Sequence, residues 1–514
     1  MKTTFQKIIS KLDVRHSNSE EIVEKNDANS ESHTRQHVLH SKERGNEIEN
    51  SFIQGMAQTL RENNSIDDSF YGKYDVKRGL RDSNGAGVIV GLTKIGDVQG
   101  YDVNENNEKV AIDGKLFYRG IDVEDLVENC VKENRFGYEE ASYLLLFGVL
   151  PTPKALEAYK TVLGLRRDLP KDFTRDMILT APSNDIMNKL ARSVLALYSY
   201  DKNADDISIE NVLRQSINLI ACLPTLIAYG YQAKRSSHHN ESLFIHHPDP
   251  NLSTAENILK MIRPDGKYTD MEAKLLDLSM ILHAEHGGGN NSSFTIHVVS
   301  STGTDTYSAV SAAVGSLKGP KHGGANIEVI QMVADIKKNV SDITDYVEVE
   351  KYLIKILKGE ANDKSGLIYG LGHAVYTVSD PRAILLKKMA QKLAETSGIM
   401  DDFMLYDFIE KRAPSLFREV KKTKVNMPAN VDLYSGFVYS ALNIPTDIAT
   451  PIFAAARISG WCAHRIEELI GTGKIMRPAY KCVQPHLKYQ TLYDREERNV
   501  KISYKKPAAT KATK

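Results

Sequence analysis

The sequence predicts a mainly α-helical protein with a small β portion near the start of its globular part. Beyond about residue 120, apolar residues recur almost throughout at the three- and four-residue spacing of amphipathic helices. Two of these segments also begin with a Ser/Thr-x-x-Glu capping box, one at Ser253 with Glu256 and one at Thr269 with Glu272. Short runs of β-branched and aromatic residues occur mainly before residue 120.

The β portion is expected within residues 87–120. Its two runs are Gly87–Gly91 and Val110–Gly120. Asp113-Gly114 lies between two short apolar-rich stretches, which is typical of a tight hairpin turn. We therefore predict a short strand, followed by a hairpin that turns at Asp113-Gly114.

Two helices can be bounded from the sequence. The helix that starts after Thr269 should end at Gly287–Gly289, because a run of glycines cannot sustain a helix and suits its C-terminal cap. A long apolar helix is expected over Ile209–Tyr229, with a kink at Pro224. No uncharged apolar run approaches the roughly 18 residues that a membrane span needs, so we expect no membrane association.

Composition is that of a globular protein from a reducing compartment. The chain has 514 residues, with 66 Lys+Arg against 66 Asp+Glu, and this balance argues against nucleic-acid binding. Its four cysteines are widely spaced, which excludes a disulfide scaffold and a zinc ribbon. We expect a cytoplasmic protein. Its basic, amphipathic start resembles a weak organelle-targeting peptide, but Asp13 and the glutamates after it depart from that pattern.

Both ends of the chain are expected to be disordered. Residues 1–51 are nearly free of aromatic residues, so they cannot bury enough surface to offset the entropy of ordering. Residues 491–514 should form a C-terminal arm and tail, of which the basic part from about Lys501 is expected to be disordered. His33, His37 and His40 fall at helical spacing in the first segment, and we interpret them as part of a solvated tail.

Common cofactor motifs are missing: the sequence has no P-loop, no complete dinucleotide fingerprint and no HExxH. We therefore predict neither a metal nor a cofactor. Polar residues lie instead inside Gly-rich segments, where a ligand can approach the backbone closely. These segments are residues 282–293, 319–326, 366–382 and 430–436.

The segments and the chain that follows them supply side chains suited to a small acidic substrate. Arginine forks bind carboxylates in bidentate fashion, and histidine with aspartate can act as an acid–base pair. From the residues alone we predict a site for a di- or tricarboxylate, although a single histidine beside glycine is more often structural. The candidate residues are His286, His322, His373, Asp432, Arg382, Arg457 and Arg477.

The same segments resemble the citrate synthase family, and in particular its bacterial type. The family motifs GPxHGxAN, G-x-GH…DPR and NVDxxSG appear in order at residues 319–326, 370–382 and 430–436. The family's HxxH-plus-Asn segment appears at 283–290. Order and spacing agree across about residues 52–490, so the chain is identified as a member of that family.

This resemblance implies a two-domain helical homodimer with shared active sites. The large domain would contain residues 52–322 and 432–490, and the small domain residues 323–431, with the site in the cleft between them. The implied activity is that of an acyltransferase of the tricarboxylic acid cycle. It condenses acetyl-CoA with oxaloacetate and hydrolyses the citryl thioester to citrate and CoA, without a cofactor.

The resemblance also implies residue roles by motif position. Asp432 would be the catalytic base, His322 would hydrogen-bond the thioester oxygen, and His373 would polarise the ketone and protonate the alkoxide. Five residues would bind oxaloacetate, with Arg477 coming from the partner subunit: His286, Asn290, Arg382, Arg457 and Arg477. Backbone groups would bind CoA at Leu367, Ile368, Gly370 and Ala374.

Two positions depart from the family pattern. Thr377 stands where many relatives carry a cation that is thought to meet a CoA phosphate, which puts that contact in doubt. Lys321 stands where relatives often have leucine, and its charge would lower the pKa of the neighbouring His322.

The sequence leaves three alternatives open. A 2-methylcitrate synthase would use propionyl-CoA, and one methylene changes binding by only about 1–3 kcal/mol. A non-catalytic CoA- or carboxylate-binding relative is disfavoured, because Asp432, His322 and His373 are all present. A histidine-ligated metal hydrolase would need clustered metal ligands.

Overall fold

The computed structural model describes residues 50, 52–54, 56–57, 59–82, 87–105, 109–471 and 473–492. Apart from residue 50, the predicted disordered extension with its three histidines lies outside the described residues, as does the tail from 493 onward. The chain divides into two compact units, one made of Met1–Val88 with Ala479–Lys514 and the other of Ile89–Pro478. The division into a large and a small domain stays a prediction.

The first unit has short helical pieces where it is described. Residues 59–64 are helical, and the helix Ser69–Lys73 and the 3-10 turn Arg78–Leu80 follow. The strand predicted over Gly87–Gly91 is wrong, since Gly87 makes only an isolated bridge, with Arg81. The run has no strand beside it among the described residues and its β-branched side chains are exposed, so propensity alone does not make it a strand.

The second unit begins with a three-stranded antiparallel sheet, made of β1 (Gly96–Val103), β2 (Lys109–Tyr118) and β3 (Ile121–Asp122). A hairpin is present, as predicted, but its turn lies between β1 and β2 and not at Asp113-Gly114, which is inside β2. Gly114 donates its backbone N–H to the Ser379 carbonyl oxygen at 3.1 Å, and a Cβ there would lie 2.3 Å from that oxygen. The glycine therefore marks a close approach of two chain segments, not a turn.

The rest of the second unit is helical, as predicted, with a π-helical turn at Thr174–Leu179 and a 3-10 turn at Tyr198–Tyr200. Its first eight helices are α1 (Val123–Lys132), α2 (Tyr138–Phe147), α3 (Pro153–Gly164), α4 (Ile186–Leu197), α5 (Ile209–His239), α6 (Thr254–Ile262), α7 (Asp270–His283) and α8 (Asn291–Ser300). The remainder are α9 (Thr306–Lys318), α10 (Ala325–Asn339), α11 (Tyr346–Leu357), α12 (Pro381–Ser397), α13 (Met400–Lys421), α14 (Val431–Ala441) and α15 (Thr446–Ile470).

Helix α5 is longer than the sequence indicated. It continues through Pro224 and past Tyr229 to His239, where Asn240 adopts a left-handed conformation and ends it. The helix is long and apolar enough to cross a membrane, but 78% of its most apolar 18-residue window is buried inside the fold. That burial is expected of the core helix of a globular protein.

The capping boxes at the starts of α6 and α7 are both present, with the reciprocal side-chain hydrogen bonds that define them. Helix α7 nevertheless ends at His283, before the glycines that were expected to stop it. Two side chains from elsewhere take its last carbonyl groups: the Tyr118 hydroxyl donates to the Ile281 oxygen at 2.8 Å, and Arg457 Nε donates to the His283 oxygen at 2.5 Å. Residues 284–290 then form a loop between α7 and α8.

Helix α15 is the central element of this unit. It contacts α2, α5, α7, α8 and α9, and its side chains from Ile448 to Arg465 are all buried. Polar groups are buried along it together with the apolar ones, including Arg457, His464 and Arg465. A buried polar group needs a partner, so these side chains fix how the surrounding helices and loops are placed.

The contact between the hairpin and residues 375–379 generates a stability prediction. Gly100 lies at an irregularity of the β1–β2 register, and a Cβ there would lie 2.4 Å from the Val375 carbonyl oxygen. Gly100→Ala should therefore lower the free energy of unfolding by about 1–3 kcal/mol, because the backbone must shift. Urea denaturation measures this value.

Gly315→Ala is the matched control for that substitution. Gly315 lies inside α9, and a Cβ there would meet nothing within 4 Å. Alanine should leave stability unchanged or raise it by up to about 1 kcal/mol. Equal stabilities for the two variants would contradict the proposed contact.

Candidate active site

The loop that carries His373 is fastened to the chain just before α14. Asn430 donates its backbone N–H to the Gly370 oxygen at 2.9 Å and its side-chain amide to the Gly372 oxygen at 2.8 Å. Gly372 in turn donates to the Pro428 oxygen at 2.7 Å. Gly370 and Gly372 both have φ of +83°, a conformation that favours glycine. This fastening places the loop beside the first turn of α14, which carries Asp432.

The hydrogen bonds of His373 fix where its proton lies. Its Nδ1 accepts two backbone N–H groups, from Val375 at 3.0 Å and from Tyr376 at 3.1 Å. The neutral ring must therefore carry its hydrogen on Nε2, which makes Nε2 a donor. The ring stacks on Tyr376 with centroids 4.6 Å apart.

His286 faces this ring from the loop that follows α7. The two imidazoles meet almost at a right angle, with centroids 5.1 Å apart. His286 is buried, and its Nε2 has no hydrogen-bond partner among the described residues. Burial, followed by the positive charge of Arg382, holds the pKa of His286 well below its usual value. The ring is therefore neutral near pH 7.

His322 is positioned by a serine that the sequence analysis did not single out. Its Nε2 lies 3.1 Å from the Ser292 hydroxyl oxygen. The same oxygen accepts a hydrogen bond from Trp461 Nε1 at 3.0 Å and lies 2.9 Å from the Asn290 side-chain oxygen. Trp461 and Ser292 are 169 residues apart, and no spacing rule connects two such positions.

Burial lowers the pKa of His322 to about 4, with Arg457 acting in the same direction. From the sequence, a lowered pKa of His322 was expected to arise from Lys321. That attribution is wrong, because Lys321 is exposed and the causes are burial and Arg457. His322 is therefore a neutral imidazole at physiological pH.

Arg457 is the most deeply buried charge of the site, with no exposed surface. Its Nε is bound to the His283 oxygen, and its guanidinium lies 4.8 Å from the Phe453 ring centroid. Both of its terminal nitrogens lack a hydrogen-bond partner among the described residues. Burial lowers the pKa of Arg457 to about 10, so it stays charged near pH 7. A buried cation with two unused donors is suited to an anionic ligand.

Arg382 already has a carboxylate partner within the chain. Asp380 caps the start of α12 and accepts from Arg382 Nε at 3.1 Å and Nη2 at 2.8 Å. Burial disfavours the charged guanidinium, but the Asp380 carboxylate outweighs burial and raises the pKa of Arg382. Asp380 thereby fixes the orientation of a permanent cation.

Asp432 lies in the first turn of α14, where its backbone N–H donates to Asn430 Oδ1 at 3.0 Å. Burial raises the pKa of Asp432 to about 6, and the charge of Arg382 opposes that rise. The carboxylate is therefore ionised but weakly solvated near pH 7. A pKa close to the working pH is what a general base requires.

The remaining predicted residues are described by their exposure and their local hydrogen bonds. Asn290 caps α8 through its side-chain oxygen. In the loop predicted to bind CoA, Leu367 and Ala374 are exposed and Ile368 is buried. Thr377 is exposed, and its carbonyl accepts from Asn426 at 2.7 Å.

Arg477 is not joined to the other candidate residues. It lies in an exposed segment beyond α15, and within the described part of this one chain no hydrogen bond or ion pair links it to them. Its role stays a prediction that requires a second subunit.

These groups define a class of protein: a mainly α enzyme whose site combines buried arginines, neutral imidazoles and one carboxylate with a raised pKa. Residues 84–479 match the sequence profile described as "Citrate synthase, C-terminal domain". The citrate synthase of Haloferax volcanii is 33% identical over 410 residues, which cover 79% of this chain and 94% of that protein. The chain belongs to the citrate synthase family.

Two further similarities bear on fold and activity. A solved ternary complex of carboxymethyl coenzyme A and oxaloacetate with the citrate synthase of Thermoplasma acidophilum matches with a TM-score of 0.66 at 26% identity, covering 81% of this chain and 99% of that one. The 2-methylcitrate synthase of Shewanella oneidensis is 33% identical over 365 residues, 71% of this chain and 87% of that protein. The predicted family, mainly α fold and acyltransferase class are confirmed, with citrate synthase as the leading function.

The environment of Asp432 generates a prediction about stability and pH. Because the folded-state pKa is raised, ionising Asp432 costs stability as pH rises from about 4 to about 6. Asp432→Asn should therefore gain stability relative to the unsubstituted protein from pH 4 to pH 7, by at most about 3 kcal/mol. Urea denaturation across that range measures the difference, and a difference that does not change with pH would contradict the raised pKa.

Proposed function

We propose that this enzyme condenses acetyl-CoA with oxaloacetate and hydrolyses the citryl thioester to citrate and CoA. The observation that carries the proposal is the buried guanidinium of Arg457, whose two terminal nitrogens lack a partner among the described residues. Each buried donor without a partner costs about 1–3 kcal/mol, and more when it is charged. One carboxylate satisfies both nitrogens in a bidentate arrangement.

Oxaloacetate fits the rest of this arrangement. One carboxylate would bind Arg457 and the other Arg382, whose orientation Asp380 fixes. His286 Nε2, also without a partner among the described residues, would hydrogen-bond the substrate. The Nε2–H of His373 would donate to the ketone oxygen and draw electrons from the ketone carbon. We assign Arg477 of a second subunit to the same substrate.

Acetyl-CoA would place its methyl group between Asp432 and His322. Backbone groups of Leu367, Ile368, Gly370 and Ala374 would bind the CoA adenine. Thr377 offers no charge to a CoA phosphate, so affinity for CoA would rest on other contacts.

The reaction then consists of polar steps that these side chains can perform. The Asp432 carboxylate removes a methyl proton while His322 donates a hydrogen bond to the thioester oxygen, which yields the enol or enolate. Its carbon attacks the ketone, and His373 supplies the proton to the alkoxide. The two N–H groups at His373 Nδ1 stabilise the electron-rich ring that remains. Water hydrolyses the citryl thioester, and we propose that no metal or redox cofactor takes part.

The Ser292 hydroxyl determines which ring nitrogen of His322 carries the hydrogen. The Ser292 hydroxyl has one hydrogen and two acceptors in reach, Asn290 Oδ1 and His322 Nε2. If it donates to His322, the imidazole hydrogen lies on Nδ1 and can point toward the thioester. We propose this arrangement, because only then is His322 a donor to the substrate.

The second candidate function is 2-methylcitrate synthase, which the similarity to the Shewanella protein favours. The residues of the site are the same for both substrates, and the pocket for one extra methylene decides between them. A non-catalytic relative fits less well, since Asp432 has the pKa of a base and His373 the tautomer of a donor.

We further propose a cytoplasmic homodimer that binds neither nucleic acid nor a membrane. The widely spaced cysteines support a cytoplasmic location. The equal numbers of basic and acidic residues argue against nucleic-acid binding. The exposed position of Arg477 supports the dimer, because the residue has its predicted partners only if a second chain brings it to a site.

The main test of the function is CoA release from acetyl-CoA and from propionyl-CoA, each with and without oxaloacetate. We expect oxaloacetate-dependent release with acetyl-CoA as the better substrate. Asp432→Asn should lower kcat by about 100- to 10,000-fold and leave oxaloacetate binding intact, because only the base is removed. Near-normal turnover by the folded variant would exclude Asp432 as the base, and a preference for propionyl-CoA would favour the second candidate.

The role of Ser292 is tested by replacing it with alanine. Ser292→Ala should lower kcat by about fivefold with little change in KM, since the loss of one orienting hydrogen bond is worth about 1 kcal/mol. Ser293→Ala is the matched control, because the Ser293 hydroxyl is buried without a partner among the described residues. Equal effects of the two substitutions would mean that Ser292 does not orient His322.

The shared site is tested by complementation between two inactive variants. Arg477→Ala and His373→Ala should each be nearly inactive alone. In a heterodimer one site carries both lesions and the other carries neither, so co-refolded mixtures should recover activity at about a quarter of all sites. Citrate formation measures the recovery. Heterodimers that stay inactive would show that Arg477 serves its own subunit or binds no substrate.

A further inference from the structure

A chain of buried acidic and imidazole groups links three segments beside the proposed active site. Glu285 Oε1 lies 2.9 Å from His464 Nε2, and His464 Nδ1 lies 2.9 Å from His297 Nε2. The other nitrogen of His297 lies 2.9 Å from Glu468 Oε2. These residues come from the loop after α7 and from helices α8 and α15, and α15 is far from the other two in the sequence.

The hydrogen bonds of this cluster require a positive charge between the two imidazoles. A carboxylate accepts only, so the outer nitrogens, His464 Nε2 and His297 Nδ1, both carry hydrogen. In two neutral rings the inner nitrogens then each present a lone pair, and these face each other across 2.9 Å. Facing lone pairs repel unless a positive charge lies between them. That charge is either one extra proton or a metal ion.

A third ligand atom favours the metal ion. Glu467 Oε2 lies 3.9 Å from His464 Nδ1 and is buried without a hydrogen-bond partner among the described residues. Its other oxygen accepts the backbone N–H of Lys94 at 2.7 Å, which holds the carboxylate in place. The His297, His464 and Glu467 ligand atoms all lie within 4.8 Å of one another. A shared proton would leave this carboxylate oxygen without a partner, whereas a metal ion would bind it.

We propose that His297, His464 and Glu467 bind a divalent transition ion, Zn²⁺ by the nature of its ligands. Two imidazoles and one carboxylate form a common zinc ligand set, with water as the fourth ligand. Zinc–nitrogen bonds of about 2.0–2.1 Å in a tetrahedron place two nitrogens about 3.3 Å apart, so the rings need to separate by about 0.4 Å. Glu467 Oε2 would also have to approach the rings, by rotation about side-chain bonds while Oε1 keeps its hydrogen bond to Lys94.

The surroundings of the three ligands match those of metal sites. Metal-binding histidines commonly donate their second N–H to a carboxylate, which fixes the ring and its tautomer. Here Glu285 accepts from His464 and Glu468 accepts from His297. Glu285 is fully buried and directly precedes His286, so the ion would brace the loop that carries His286 against α8 and α15. The proposal does not depend on the substrate of the enzyme.

Metal content is the direct test. The full-length protein with His33, His37 and His40 replaced by glutamine, to remove binding by the tail, is loaded with ZnCl₂ and passed over a desalting column. Elemental analysis should give about one zinc per chain. Co²⁺ in place of Zn²⁺ should give the visible spectrum of a four-coordinate site. Less than a tenth of an equivalent of either ion after loading would overturn the proposal and leave a shared proton between the rings.

Substitutions locate the ion within the same protein. His297→Gln and Glu467→Gln should each abolish the Co²⁺ spectrum, while Glu468→Gln should weaken binding by about 10- to 100-fold. His238→Gln, at an exposed histidine in the last turn of α5, is the control and should change nothing. Circular dichroism verifies that each variant is folded. Metal retained equally by His297→Gln, Glu467→Gln and the control would also overturn the proposal.

Discussion

The burial of the Arg457 guanidinium is the constraint on which the site depends. A charged group without exposed surface is costly unless it is paired, and here the described part of the chain supplies a single hydrogen-bond acceptor, the His283 carbonyl. That bond has two consequences. It takes the last carbonyl of α7, so the helix ends and the loop with His286 begins, and it leaves two guanidinium nitrogens for a ligand. The end of α7 and the orientation of the unpartnered guanidinium nitrogens therefore share one interaction.

Helix α15 extends this coupling to the other side of the site. Four residues after Arg457, Trp461 donates to Ser292, which contacts His322. One turn further, His464 meets Glu285 beside His286. Because Arg457, Trp461 and His464 all project from one buried helix, a shift of α15 would disturb the surroundings of His286 and His322 together.

Proton placement in the site follows from tertiary hydrogen bonds and from burial. His373 becomes a donor at Nε2 because two backbone amides occupy its Nδ1, while burial keeps His322 neutral. The same desolvation raises the pKa of Asp432 toward that of a base that works near neutrality. Withdrawal from water thus sets the protonation of both the imidazole and the carboxylate to which we assign enol formation.

The sequence alone determined what depends on nearby residues and on recognisable motifs. The helical fold class, the capping boxes of α6 and α7, and the candidate arginines, histidines and aspartate could all be predicted, because periodicity, caps and motifs are local. Asp113-Gly114 was misjudged as a turn, because nothing local reveals that Ser379 binds Gly114 inside a strand. Only the tertiary structure decided that Trp461 binds Ser292 and Ser292 contacts His322, which tautomer His373 adopts, and that helices α8 and α15 bring His297, His464 and Glu467 together. These properties arise from contacts between residues far apart in the chain and from the loss of water around them. Neither the contacts nor the desolvation can be predicted from a short stretch of sequence.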